Sequence, residues 1–135
     1  MRLVFVDTLY FVARINPFDQ WHARAKDALA SLTFSSLITT ESVLIELLNF
    51  FAAYQADMRQ TVARFVRDTL GDHDIEVIPH TRDAFIEGLA LYESRLDKGY
   101  SLTNCIPMGV MRQRNIADVL TPDHHFEQEG FTILL

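Results

Sequence analysis

Four polar residues, Asp7, Glu46, Asn104 and Asp123, stand in apolar or capping contexts that could bring oxygen donors together. Asp7 closes the run Leu3-Val4-Phe5-Val6, whose β-forming side chains do not alternate, the pattern of a strand buried on both faces. Glu46 lies in TTESVLIELLNFF. At about 100° per residue, Val43, Leu44, Leu47, Leu48 and Phe51 share one apolar arc, Phe50 extends it, and Glu46 falls just beyond Phe50. Asn104 lies in DKGYSLTNC, in the first turn of a helix that Ser101 or Thr103 can cap. Asp123 follows Val119-Leu120 and repeats the strand-end position of Asp7. Each residue also has an ordinary role open to it: Asp7 and Asn104 as helix caps, Glu46 as a solvated carboxylate. As a set they place oxygen donors at strand ends and helix starts, where open α/β sheets gather ligands. Such donors suit a hard divalent cation, Mg²⁺ or Mn²⁺, which takes carboxylates and waters and leaves positions for phosphate.

Other chemistries have less support. His124 and His125 are adjacent, so their rings point apart, and no second His or Cys cluster completes a tetrahedral zinc set. Asp97, one turn before Ser101, can pair with Lys98 or Arg95 as a turn carboxylate or join the oxygen donors. An Asp after an apolar strand also suits a haloacid-dehalogenase-like phosphatase, but that chemistry needs a second Asp two residues on, where this chain has Leu9. The lone Cys105 cannot form an intrachain disulfide; it reads as a small buried residue and suits a reducing cytoplasm.

The elements that would position these groups follow from periodicity and turn signals. Leu3 to Val6 is a strand, and a helix beginning at Thr8 ends at the turn Asn16-Pro17-Phe18-Asp19. Asp19 or Gln20 to Leu32 is a helix, and Phe34 to Ile38 a short strand. Thr39 or Thr40 caps a helix to about Tyr54; the next runs from Asp57 to Leu70 and stops at Gly71. Ile75 to Ile78 is a strand, Thr81 to Arg95 a helix, and Ser101 to Arg114 a helix that Pro107 allows to begin as late as Thr103. Val119-Leu120 and Phe131 to Leu135 are the last strands. Alternating strands and helices predict an α/β fold, a central parallel sheet with helices on both faces. The 135 residues suit one domain spanning residues 1–135, with 49% hydrophobic and 22% charged residues. A formal charge of −6 argues against a generally basic nucleic-acid coat but is compatible with an acidic metal site. Of the 12 basic residues, 10 are Arg, the better fork for phosphate.

The segments FVDTLYFVARINPFDQWH, TTESVLIELLNFF, DKGYSLTNC and LTPDHHFEQEGF, taken in order over nearly the whole chain, resemble the PIN domain of VapC-type toxins. The resemblance implies a PIN-like α/β fold and an acidic pocket holding Mg²⁺ or Mn²⁺. It implies endoribonuclease activity, RNA as substrate, a small antitoxin as partner and a homodimer. It matches Asp7, Glu46 and Asp123 to the family's acids, with Asp7 and Asp123 as metal ligands, and Thr8, Asp97 and Ser101 to supporting polar positions. The third acid of the family is replaced here by Asn104, which keeps a carbonyl oxygen but brings neither charge nor base. That departure leaves a second function open, an attenuated PIN-like protein that binds RNA or a partner. The apolar residues Phe50, Phe51 and Tyr54 mark a face for the antitoxin.

Overall fold

In the computed structural model, which describes residues 2–135, five strands alternate with seven helices. The order is β1 (Arg2–Val6), α1 (Thr8–Ile15), α2 (His22–Ala30), β2 (Ser35–Thr40), α3 (Glu41–Phe50), α4 (Ala56–Leu70) and β3 (Ile75–Ile78). It continues with α5 (Arg82–Ser94), α6 (Leu102–Gln113), β4 (Asp118–Leu120), α7 (His124–Gln128) and β5 (Thr132–Ile133). All strand pairs are parallel, in the order β3-β2-β1-β4-β5. The chain builds outward from β1 to β3, then returns to the other side of β1 to add β4 and β5. The C-terminal ends of β1 and β4 are therefore the topological switch point of the sheet, the place where such folds bind ligands.

β1 is central, and Val4, Phe5 and Val6 are each at most 1% exposed. Successive strand residues face opposite sides, so both faces of β1 are covered. The register sets Val6 beside Leu120, which brings Asp7 next to Thr121, and the Asp7 N–H donates to the Leu120 carbonyl at 3.2 Å. On the other flank, Thr39 Oγ1 donates to the Val6 carbonyl at 2.8 Å. Thr40 caps α3 by accepting from the Val43 N–H at 3.2 Å.

The sequence-based boundaries shift in instructive places. α3 ends at Phe50, not Tyr54, because residues 51–54 turn with Phe51 packed inside at 1% exposure. α2 begins at His22, after an Asx-type turn in which Asp19 Oδ1 accepts from the Trp21 N–H at 2.8 Å. α6 begins at Leu102, with Ser101 as its cap, and retains Pro107. The last strand shrinks to Thr132–Ile133. The sequence reading contained no helix at His124–Gln128, a segment too short for a periodic signal. Among the described residues no helix is long and apolar enough to cross a membrane.

α5 and α6 cross closely at Gly88. A Cβ there would lie 2.5 Å from Ile106 Cγ1 and 3.0 Å from its Cα, and the backbone cannot yield as a flexible side chain would. Gly88→Ala should therefore destabilise the fold by about 1–3 kcal/mol despite the better helix propensity of Ala. Urea denaturation measures this; an unchanged midpoint would mean that the helices separate without strain.

Candidate active site

A cleft of about 510 Å³ lies over the switch point, and Asp7, Glu46, Ser101, Asn104 and Asp123 all line it. Asp7 is brought by the end of β1, Glu46 by the second turn of α3, Ser101 and Asn104 by the start of α6, and Asp123 by the segment after β4. Thr8 also lines the cleft, and its hydroxyl is buried without a hydrogen-bond partner. Asp97 is not part of this wall. It is exposed in the turn after α5, 3.9 Å from Lys98, so its turn role is the one realised.

Asp7 is 3% exposed. Its carboxyl pKa is pushed up to about 7, first by burial and further by the charges of Glu46 and Asp123. The Thr8 backbone N–H and the Thr121 hydroxyl oppose the rise by hydrogen-bonding the ionised form. Thr121 Oγ1 donates to Asp7 Oδ2 at 3.0 Å and accepts from the Asp123 N–H at 3.1 Å, so one hydroxyl ties the two acidic segments together. Sequence reading missed Thr121. Its signal was the residue directly after β4, at the level of Asp7.

Asp123 caps α7, with Oδ1 accepting from the His125 N–H at 2.9 Å. Its other oxygen, Oδ2, accepts from Asn104 Nδ2 at 3.1 Å. Asn104 is held in turn by a capping box. Its Oδ1 accepts from the Ser101 N–H at 3.1 Å and the Ser101 hydroxyl at 3.0 Å, while Ser101 Oγ accepts from the Asn104 N–H at 3.1 Å. Asn104 thus caps the helix and also lines the cleft. His125, also missed as a cleft residue, lies with Nδ1 3.3 Å from Asn104 Oδ1 and packs against Tyr100. Glu46 is half-buried and has no hydrogen-bond or ion-pair partner among the described residues.

Among the described residues no three His, Cys, Asp or Glu side chains are grouped so that they could hold a metal ion by themselves. The donor set nevertheless fits a hard cation that retains several waters. It is all oxygen, Glu46 is unpaired, and a cation would offset the burial, and the lesser repulsion from Glu46 and Asp123, that raise the Asp7 pKa.

Comparison with family models and with curated proteins finds no match. Solved structures do match. The Mycobacterium tuberculosis toxin VapC20, described as cleaving the sarcin-ricin loop, superposes with a TM-score of 0.82 at 24% identity, over 96% of each chain. VapBC2 from Rickettsia felis, bound to a promoter DNA fragment, gives 0.66 at 14% identity over 97% of this chain and 96% of that one. FitAcB from Neisseria gonorrhoeae gives 0.70 at 13% identity, over 98% and 96%. The chain has the PIN-type fold of the VapC-like toxins. That fold places the C-terminal ends of β1 and β4 side by side, which is where the carboxylates meet.

The Asp7 shift fixes a pH dependence. In the unfolded chain the carboxyl titrates near 3.8, and in the folded chain near 7, so between those values the native state holds the extra proton. Stability is therefore full below pH 3.8 as far as this group is concerned, and falls as pH rises through about 7. Asp7→Asn should raise stability at pH 8 by about 2–4 kcal/mol, with the gain gone near pH 4. Urea titrations at both pH values check this; an equal effect at both would mean that Asp7 ionises freely in the fold.

Proposed function

We propose that this chain is a metal-dependent endoribonuclease of the VapC toxin kind, restrained by a small antitoxin and attenuated by Asn104. The observation that carries the reading is the oxygen-lined cleft at the switch point, with Asp7 buried in it and Glu46 left unpaired. The structural likeness to a toxin that cleaves RNA of the sarcin-ricin loop supports the same substrate class. Likeness to VapBC2, bound to a promoter DNA fragment, supports an antitoxin partner.

Asp7 and Asp123 would hold Mg²⁺ or Mn²⁺, partly through waters, with Glu46 completing the negative wall. The cation supplies Lewis-acid stabilisation of phosphoryl charge and a lowered pKa for bound water. Thr121 holds Asp7 and the backbone of Asp123 in register across the two strand ends. Glu46, free of other partners, is the group placed to orient the attacking water and take its proton. With no Arg or Lys among its described lining residues, the cleft would meet an RNA phosphate through a bound cation and not through a basic side chain.

Asn104 favours a second reading, an RNA- or partner-binding protein with little cleavage. Its Oδ1 is committed to the Ser101 cap and its Nδ2 to Asp123, so the amide satisfies an acid that would otherwise seek a cation. For the antitoxin, an open groove of about 770 Å³ bounded by Ile15, Tyr54 and Met58 offers apolar surface. Phe50 and Tyr54 remain exposed as the sequence reading required, whereas Phe51 belongs to the core.

Asn104→Asp sets a carboxylate where the amide now lies 3.1 Å from Asp123. Mn²⁺ affinity should rise about tenfold or more, since divalent binding follows ligand charge. RNA cleavage should rise by about 100- to 1,000-fold. Asp7→Ala in that background should abolish both gains. Calorimetry with Mn²⁺ and a gel assay on mixed RNA measure these. If the unaltered chain cleaves RNA as fast as Asn104→Asp, the role given to Asn104 is wrong; if neither cleaves, the nuclease reading is wrong.

A further inference from the structure

The cleft is acidic, yet RNA carries a negative charge at every phosphate. The phosphates on either side of the one that is cut need positive partners, and these must lie outside the cleft wall. A second groove, of about 410 Å³, lies between α3 and α4 and shares Asn49 with the cleft. Its described lining residues include no Asp or Glu; the polar ones are Asn49, Arg59 and Gln60. In a chain of formal charge −6, this is a local reversal of sign.

The reversal continues along α4. At about 100° per residue, Arg59, Ala63, Arg67 and Gln60 share an arc of about 100°, with Arg64 just past its edge. The three arginines are exposed, and none has an ion-pair partner among the described residues. The acids of the helix, Asp57 and Asp68, lie beyond Arg64 and off the arc. Arg67 suits the negative end of its helix, but Arg59, closing the first turn, does not, so helix stability does not account for it. Ala63, between Arg59 and Arg67, leaves room for a chain to approach the helix. From Arg59 to Arg67 the helix rises about 12 Å. The apolar groove available to an antitoxin lies on the opposite side of α4, at Met58 and Thr61. The helix thus divides a basic surface from an apolar one.

We propose that single-stranded RNA leaves the cleft past Asn49 and follows this face of α4, with Arg59 and Arg67 each meeting a backbone phosphate. The inference rests on the reading of the cleft as an RNA-cleaving site, and adds the surface that holds the strand. Contacts to phosphate anchor and orient without reading sequence. The separation also has a use: arginines inside the cleft would pair with the carboxylates that a cation needs, whereas on α4 they bind the strand without doing so.

Fluorescence anisotropy of a labelled single-stranded RNA of about 12 nucleotides tests it, with EDTA present so that nothing is cut. Titrations between about 50 and 200 mM salt give the salt slope. Arg59→Gln and Arg67→Gln should each weaken binding about two- to fivefold. Each should also flatten the slope of log affinity against log salt by about 0.7. Replacing both by Lys keeps the charge and should keep the slope, which also shows that the losses are not losses of fold. Arg82→Gln, which removes the same charge from an exposed position on α5, should leave affinity and slope unchanged. An unaltered chain that does not bind this RNA overturns the track. So do an affinity and slope that ignore Arg59 and Arg67, or that respond equally to Arg82→Gln, even if RNA is cut; the arginines are then left for an acidic segment of a partner protein. RNA that binds with the expected slopes but is not cut by Asn104→Asp upholds the track and overturns the nuclease reading alone.

Discussion

A carboxylic acid buried at the end of the central strand governs the arrangement of this protein. Asp7 is 3% exposed in a sheet whose flanking strands cover both sides of it. Removing a charge from water is expensive unless partners replace the lost hydration. The fold supplies some of them: the Thr8 backbone N–H and the Thr121 hydroxyl. It also supplies the opposite, the charges of Glu46 and Asp123, and the net result is a carboxyl that keeps its proton to about pH 7. A stability-optimised sheet would not place three acids at one switch point. The strain is local, and the surrounding core of β1, α1, α3 and α6 side chains holds it in place.

The groups around Asp7 act through registers and caps more than through direct contact. Pairing of Val6 with Leu120 brings Thr121 level with Asp7, and Thr121 then receives the Asp123 N–H. Thr39 ties the Val6 carbonyl from the other flank, and Thr40 starts the helix that delivers Glu46. Asp123 and Asn104 both cap helices that begin at the cleft, so the groups that terminate secondary structure also form its wall.

Much of this was legible in the sequence because burial leaves a pattern. The unalternating Leu3–Val6 run announced a strand covered on both faces, which holds for Val4, Phe5 and Val6 but not for Leu3, 37% exposed at the strand's start, and the carboxylate at its end announced a place where chemistry could occur. Glu46 was legible as a break at the edge of an apolar arc. What was missed lacks periodicity. α7 spans only His124–Gln128, Thr121 acts through a cross-strand register, and His125 reaches the cleft because a cap turns the chain there. Asp97 read better as a turn carboxylate beside Lys98 than as a member of the acidic set, and its turn does carry it into solvent next to Lys98. Phe50 and Phe51 are adjacent and equally apolar; only the helix end at Phe50 sends one outward and the other into the core.

Position 104 separates folding from chemistry. As residue N3 of α6 it must accept from the Ser101 N–H, and an Asp oxygen would do this as well as the Asn amide oxygen does. The cap, the helix and the fold are thus indifferent to the choice. The second arm of the side chain is where the two differ. An amide gives Asp123 a hydrogen bond from within the chain, whereas a carboxylate would give it repulsion. Repulsion between neighbouring acids is what makes such a cleft recruit a cation, so the amide quiets the site by satisfying it. Asp7 and Glu46 take no part in that amide's hydrogen bond to Asp123, so the burial of Asp7 and the charge of Glu46 beside it are left as they were.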